Sequence, residues 1–192
     1  MDYKNILGTA AVIISFGSYV PYLRSILRNQ TRPHAFSWLV WALLAGIAFA
    51  AQLFENGGIG SWVTGSSSLL CFVIFFLSLS KGEKHFDSFD WTALIAALLA
   101  IPLWKFTKNP TFSVILISVI DAVGFLPTYR KGYFKPNEER AGLYFLSTIK
   151  YILGILALRS FTLATWLFPA SLILTNCLFV LMLLVRRRQQ AK

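Results

Sequence analysis

Three polar residues stand deep inside apolar runs: Asp121 in ISVIDAVGFLPTYRKGY, Lys150 in STIKYILGIL and Asn176 in LILTNCLFVLML. A carboxylate, an ammonium and a carboxamide can hold a small polar solute, relay a proton, or fix helices to one another by pairing. Two tryptophans, Trp38 and Trp41, lie in another run, and the hydroxyls of Ser66, Ser67 and Ser68 in a third. An aromatic face beside hydroxyls suits a sugar ring or another small polar solute. A lipid-facing packing role is the alternative for either tryptophan. Which role each group has depends on where the runs place it.

The runs are those of a membrane protein. Of 192 residues, 56% are hydrophobic and 14% charged, where soluble domains carry roughly 25% charge. A soluble domain of this size could not hide so much apolar surface. Seven segments have the length of a span, about 20 residues: roughly Asn5–Leu23, Ala35–Phe54, Gly60–Ser80, Phe89–Phe106, Pro110–Tyr129, Ala141–Leu158 and Phe161–Val185. Pro102 is expected to kink or end the fourth. The first has no small-residue cleavage site and reads as a mature helix. Cys71 and Cys177 sit inside apolar runs without metal-ligand spacing, so they read as small packing residues and no cofactor is expected.

The net charge of +10 follows membrane topology and does not call for nucleic acid. With the N-terminus outside, the inside segments hold thirteen Lys and Arg: Arg24, Arg28, Arg32, Lys81, Lys84, Arg130, Lys131, Lys135, Arg140, Arg186, Arg187, Arg188 and Lys192. The outside segments hold four: Lys4, Lys105, Lys108 and Arg159. That bias puts the N-terminus outside and the C-terminus in the cytoplasm. Trp62, Trp91, Trp104 and Trp166 fall near span ends, as interfacial anchors do.

Depth follows from position. Asp121 lies nine residues before Arg130, roughly 13 Å in from the boundary of a ~30 Å core. Lys150 and Asn176, each ten residues from a basic boundary residue, lie roughly 15 Å in, and Trp41 roughly 13 Å. A charge at that depth costs several kcal/mol unless it is paired or faces water. Either Lys150 meets Asp121 in a pair, static or functional, or a hydrated cavity solvates them. Lys150 can also snorkel toward either face.

Sliding the chain against itself by 106 residues lays SFGSYVPYLRSI (Ser15 to Ile26) over DAVGFLPTYRKG (Asp121 to Gly132). Pro21 then meets Pro127, Arg24 meets Arg130, Ala51 meets Ala157 and Cys71 meets Cys177. The register superposes loops and three helix positions, which reads as a duplication. An odd number of helices inverts the second copy unless a single span lies between, and the fourth span supplies it. The expected fold is all-α: a polytopic membrane protein with seven transmembrane helices. Residues 1–84 form the first three-helix repeat, 85–108 a linker helix, and 109–192 the second repeat with a basic tail. Asp121, Lys150 and Asn176 meet Ser15, Leu44 and Leu70 in this register, so the polar chemistry belongs mainly to the second half.

The 3+1+3 plan, the outside N-terminus, the proline near the inner end of each repeat's first helix and the stretch VPYLRSILRNQTRPHAFSW resemble the PQ-loop superfamily, which includes the SWEET-type sugar transporters. Tyr22 and Thr128 stand where the family has glutamine after the proline. The resemblance implies alternating access, with the three-helix bundles rocking on proline hinges, here Pro21 and Pro127, around a central cavity. Asn176 resembles the substrate-contacting asparagine on the last helix of SWEET-type repeats. A membrane proline frees a carbonyl and bends the axis, so paired hinges are physically reasonable on their own account.

The expected function is a transporter of a small polar solute, monosaccharide-like or amino-acid-like, with Asp121, Asn176, Lys150, Trp41 and Trp38 binding it. Proton coupling and assembly into a homo-oligomer stay open. The alternative is a ligand or cargo receptor on the same seven helices. An enzyme is not expected: both histidines, His34 and His85, fall in loops, and no embedded aspartate pair, GxS turn or HExxH is present. The expected place is a bacterial cytoplasmic membrane.

Overall fold

The computed structural model describes residues 2–82, 88–137, 139 and 141–190, apart from the side chains at 89, 90, 127 and 131. Lys84, His85, Arg140 and Lys192, used in the reading of the loops, lie outside the described residues, as does the side chain of Pro127. The helices are α1 (Tyr3–Leu27), α2 (Ala35–Phe54), α3 (Trp62–Lys81), α4 (Ser88–Thr107), α5 (Pro110–Gly124), α6 (Leu126–Phe134), α7 (Ala141–Leu156) and α8 (Leu163–Gln190), with a 3-10 turn at Gly58–Ser61. No strand occurs among the described residues.

Local sequence explains the ends. Asp2 caps α1 by accepting from Lys4 N, and His34 caps α2 by accepting from Ser37 N. Asn109 caps α5 with Pro110 in its first turn, where the missing N–H costs nothing. Asn29 and Asn56 follow α1 and α2 with φ of 56°, the left-handed conformation that Asn tolerates and that stops a helix.

Five helical segments are long and apolar enough to cross a membrane: Tyr3–Leu27, Ala35–Phe54, Gly58–Lys81, Pro110–Phe134 and Leu163–Gln190. Two further apolar helices, Trp91–Thr107 and Ala141–Leu156, are shorter. Large apolar side chains such as Ile13, Leu69, Phe76, Ile101, Leu174 and Leu181 lie on the outside, whereas Ser15, Ser67, Asp121, Lys150 and Asn176 are buried. Apolar outside and polar within is the distribution of an integral membrane protein.

Packing follows one order in both halves of the chain. α3 packs against α1 and α2, and α8 against α5 and α7. Across the halves, α1 packs on α7 and α2 on α5, while α4 lies against α5 and α2. α4 approaches closely because Ala97 and Ala100 present only methyl groups there, and Ser113 on α5 donates to the Ala100 carbonyl at 2.7 Å. With Leu44, Ala48, Ile117 and Phe168 these alanines form the main apolar core.

The proline positions differ. α1 runs unbroken through Pro21, whereas the corresponding run breaks at Phe125, two residues before Pro127. Pro102 does not end α4, which continues to Thr107. Pro169 lies inside α8, and as a proline it deprives the Thr165 carbonyl of its helical donor. Gln52 on α2, 1% exposed, donates to that carbonyl from Nε2 at 2.7 Å. A proline in the second half is thus completed by an amide from the first.

Candidate functional site

A cavity of about 550 Å³ lies between the halves, walled by α1, α2 and α3 on one side and by α5 to α8 on the other. Asp121, Lys150, Asn176, Trp38 and Trp41 all line it. So do residues that the sequence reading did not single out, among them Tyr19, Tyr144, Ser147, Tyr151 and Phe168. Tyr144 and Ser147 stand 106 residues after Trp38 and Trp41, so the repeat register held the signal that would have found them.

Lys150, on α7, is among the largest fully buried side chains of the described residues. It donates to Ser67 Oγ at 2.9 Å and to Ser15 Oγ at 3.4 Å. Ser67 gives its own proton to the Val63 carbonyl and also accepts from Tyr151 Oη at 3.2 Å, so both its lone pairs are used. The ammonium also lies 5.0 Å from the Tyr19 ring centroid and 4.8 Å from that of Tyr151, within cation–π range. Of the three consecutive serines Ser66, Ser67 and Ser68 on α3, Ser67 lines the cavity, while Ser66 and Ser68 donate to the Val63 and Ala42 carbonyls.

Asp121 and Lys150 do not pair. Neither an ion pair nor a hydrogen bond joins them, and Asp121 has no hydrogen-bond partner among the described residues although it is 6% exposed. The packing explains this. α7 lies on α1, so Lys150 meets Ser15, which stands 106 residues before Asp121, while α5, which carries Asp121, packs on α2 and α8. Asp121 thus faces the cavity and not the Lys150 ammonium.

Asn176 on α8 donates from Nδ2 to the Leu172 carbonyl at 2.6 Å, a bond within its own helix. Trp38 is held by three rings, with centroids 6.2 Å from Tyr19, 5.1 Å from Tyr22 and 5.2 Å from Trp41. The second half has its own aromatic group: Tyr144 lies 4.5 Å from Phe179, which lies 5.5 Å from Phe125. Both tryptophans are therefore wall residues of the cavity.

The two ends of the molecule differ. At the end bearing Asn56, the halves are fastened together. Arg159 N donates to the Gly57 carbonyl at 2.9 Å and Lys4 Nζ to the Leu158 carbonyl at 2.7 Å. Gly60 lies flat against Gly154 and Leu158: a Cβ there would meet the Gly154 carbonyl and stand 2.6 Å from Leu158 N. The end bearing His34 is the one the cavity reaches, past Tyr22 and Thr128. There the hydrogen bonds of Lys81, Arg186 and Arg187 stay within a half, to Leu27, Tyr133 and Pro136.

This arrangement can enclose a small molecule between an acid, an ammonium and aromatic walls, closed at one end and open at the other. The chain matches no family model, no curated protein and no solved structure.

Proposed function

We propose that the protein is a membrane carrier that moves a small polar solute by alternating access between two related three-helix bundles. The observation that carries this reading is the symmetry of the cavity. At an offset of 106 residues, Tyr19 and Phe125, Tyr22 and Thr128, Ser37 and Leu143, Trp38 and Tyr144, Trp41 and Ser147, and Ala45 and Tyr151 line the same cavity. A duplicated bundle that faces its copy across a solute site can close either end by the same motion. The shared packing order of α1, α2 and α3 and of α5, α7 and α8 supports the same reading.

In this account α4 is the linker that keeps the repeats parallel, as in the 3+1+3 plan of the PQ-loop and SWEET-type proteins. The His34 end, which carries Arg24, Arg28, Lys81, Arg130 and Arg186 to Arg188, faces the cytoplasm by the positive-inside rule. The described conformation is then inward-open. Gly124 and the break at Phe125 make the second bundle the more pliant, with Pro21 and Pro127 as the expected hinges.

The test is flux. Purified protein in proteoliposomes is screened against sugars, amino acids and other small polar solutes. Saturable, protein-dependent uptake of one of them supports the carrier. A broad screen with binding but no flux favours a receptor on the same helices.

A further inference from the structure

Two opposite charges face one cavity without neutralising each other. Asp121 is 6% exposed and has no hydrogen-bond partner among the described residues; Lys150 is 1% exposed and is held by neutral hydroxyls and tyrosine rings. A buried charge without a countercharge is costly, and replacing such groups by apolar ones of similar size often stabilises a protein. Their retention therefore points to a partner that comes and goes.

Resting on the carrier reading, we infer that the solute is a zwitterion, a neutral α-amino acid, with its ammonium at Asp121 and its carboxylate at Lys150. The geometry carries this. Lys150 has three N–H donors, of which Ser67 and Ser15 take two, so one is left for an acceptor in the cavity. Asp121 accepts nothing from the protein and offers both carboxylate oxygens. The two groups are not in ion-pair contact, yet both face the same cavity of about 550 Å³, one from α5 and one from α7, so a single molecule in it can meet both. A single molecule bearing both charges satisfies both groups in one association, whereas two separate ions would lose translational freedom twice.

The rest of the wall selects the side chain. Besides Asp121 and Lys150, the lining groups are hydroxyls such as Ser37 and Ser147, the Asn176 carboxamide, the Cys71 thiol, and aromatic or apolar residues such as Trp38, Trp41, Phe168 and Leu172; His34 accepts from Ser37 N in capping α2. Nothing there complements a second charge, so the amino acid has an uncharged side chain. A hexose presents hydroxyls alone, which can hydrogen-bond both groups but leave each without a countercharge.

The experiment is equilibrium binding and thermal shift on the purified full chain in detergent. The probes are neutral L-α-amino acids from alanine to phenylalanine, the amine and the carboxylic acid that each becomes on losing one charged group, and D-glucose. At least one amino acid is expected to bind saturably and raise Tm, with its amine and its acid each at least tenfold weaker. Asp121→Asn should reduce the preference for the amino acid over its acid, and Lys150→Met the preference over its amine, in protein whose melting stays cooperative. The inference is overturned if no amino acid binds, if a single-charge analogue binds as tightly, or if either variant keeps the full preference. Flux separates this from the carrier reading. Saturable glucose uptake without amino-acid binding keeps the carrier and removes the zwitterion. Amino-acid binding without flux of any probe keeps the zwitterion and removes the carrier.

Discussion

Replacing Gln52 by leucine tests how the two halves are joined. The Gln52 amide donates at 2.7 Å to the Thr165 carbonyl, which lacks its helical donor because residue 169 is proline. Gln52→Leu leaves that carbonyl bare in a buried place, at a cost of about 1–3 kcal/mol. It also removes the Gln52 Oε1, itself buried without a partner, which offsets part of the loss. Interhelical hydrogen bonds in membranes are worth about 0.6 to 1.7 kcal/mol, so a net destabilisation of about 1 kcal/mol is expected. Pro169→Ala restores an N–H to the carbonyl from within α8. In that background Gln52→Leu should cost less than about 0.5 kcal/mol, which gives a coupling near 1 kcal/mol. Reversible unfolding in bicelles measures all four corners of the cycle. Equal costs of Gln52→Leu with and without the proline would refute the argument, because the amide would then be serving some other purpose.

Further outcomes follow from the same contacts. Gly60→Ala places a methyl against the Gly154 carbonyl and 2.6 Å from Leu158 N. It should lower stability by about 1–3 kcal/mol, and an unchanged Tm would mean the halves sit farther apart than described. Because Asp121 and Lys150 share a cavity without pairing, the coupling between Asp121→Asn and Lys150→Met should stay at the low end for such neighbours, about 0.5–1 kcal/mol. A coupling of several kcal/mol would reveal a pair. A tag at the C-terminus should be reached only from the cytoplasm, and a cysteine at Asn56 only from outside. An external C-terminus would overturn the assignment of the open end.

The parts of this molecule legible in sequence are those written along one helix at a time. Apolar length located the helices, and distance from basic residues placed Asp121, Lys150, Asn176 and Trp41 at a common depth, where all four line one cavity. What the sequence hid is which helix faces which. A shared depth in the second half leaves a Lys150–Asp121 pair and a cavity both open, and only the packing decides: α7 packs on α1, and the ammonium meets Ser15 and Ser67. Likewise Pro169 and Gln52 are 117 residues apart, and nothing local to either announces the other. The break at Phe125 is not announced by its proline, since α1 runs unbroken through the matched Pro21; what differs locally is Gly124, where α1 has Ser18.

Alternating access requires the halves to part at the Asn56 end, and a reversible lock there tests it most directly. A Cβ at Gly154 would stand 3.4 Å from the Val63 Cβ, close to the spacing a disulfide requires. Val63 and Gly154 belong to different halves, on α3 and α7. In a background with Cys71 and Cys177 replaced by alanine, Val63→Cys with Gly154→Cys is oxidised, and solute counterflow is measured in proteoliposomes before and after reduction. Flux is expected at background while the crosslink holds and to return when the crosslink is reduced. Undiminished flux through fully crosslinked protein would contradict it.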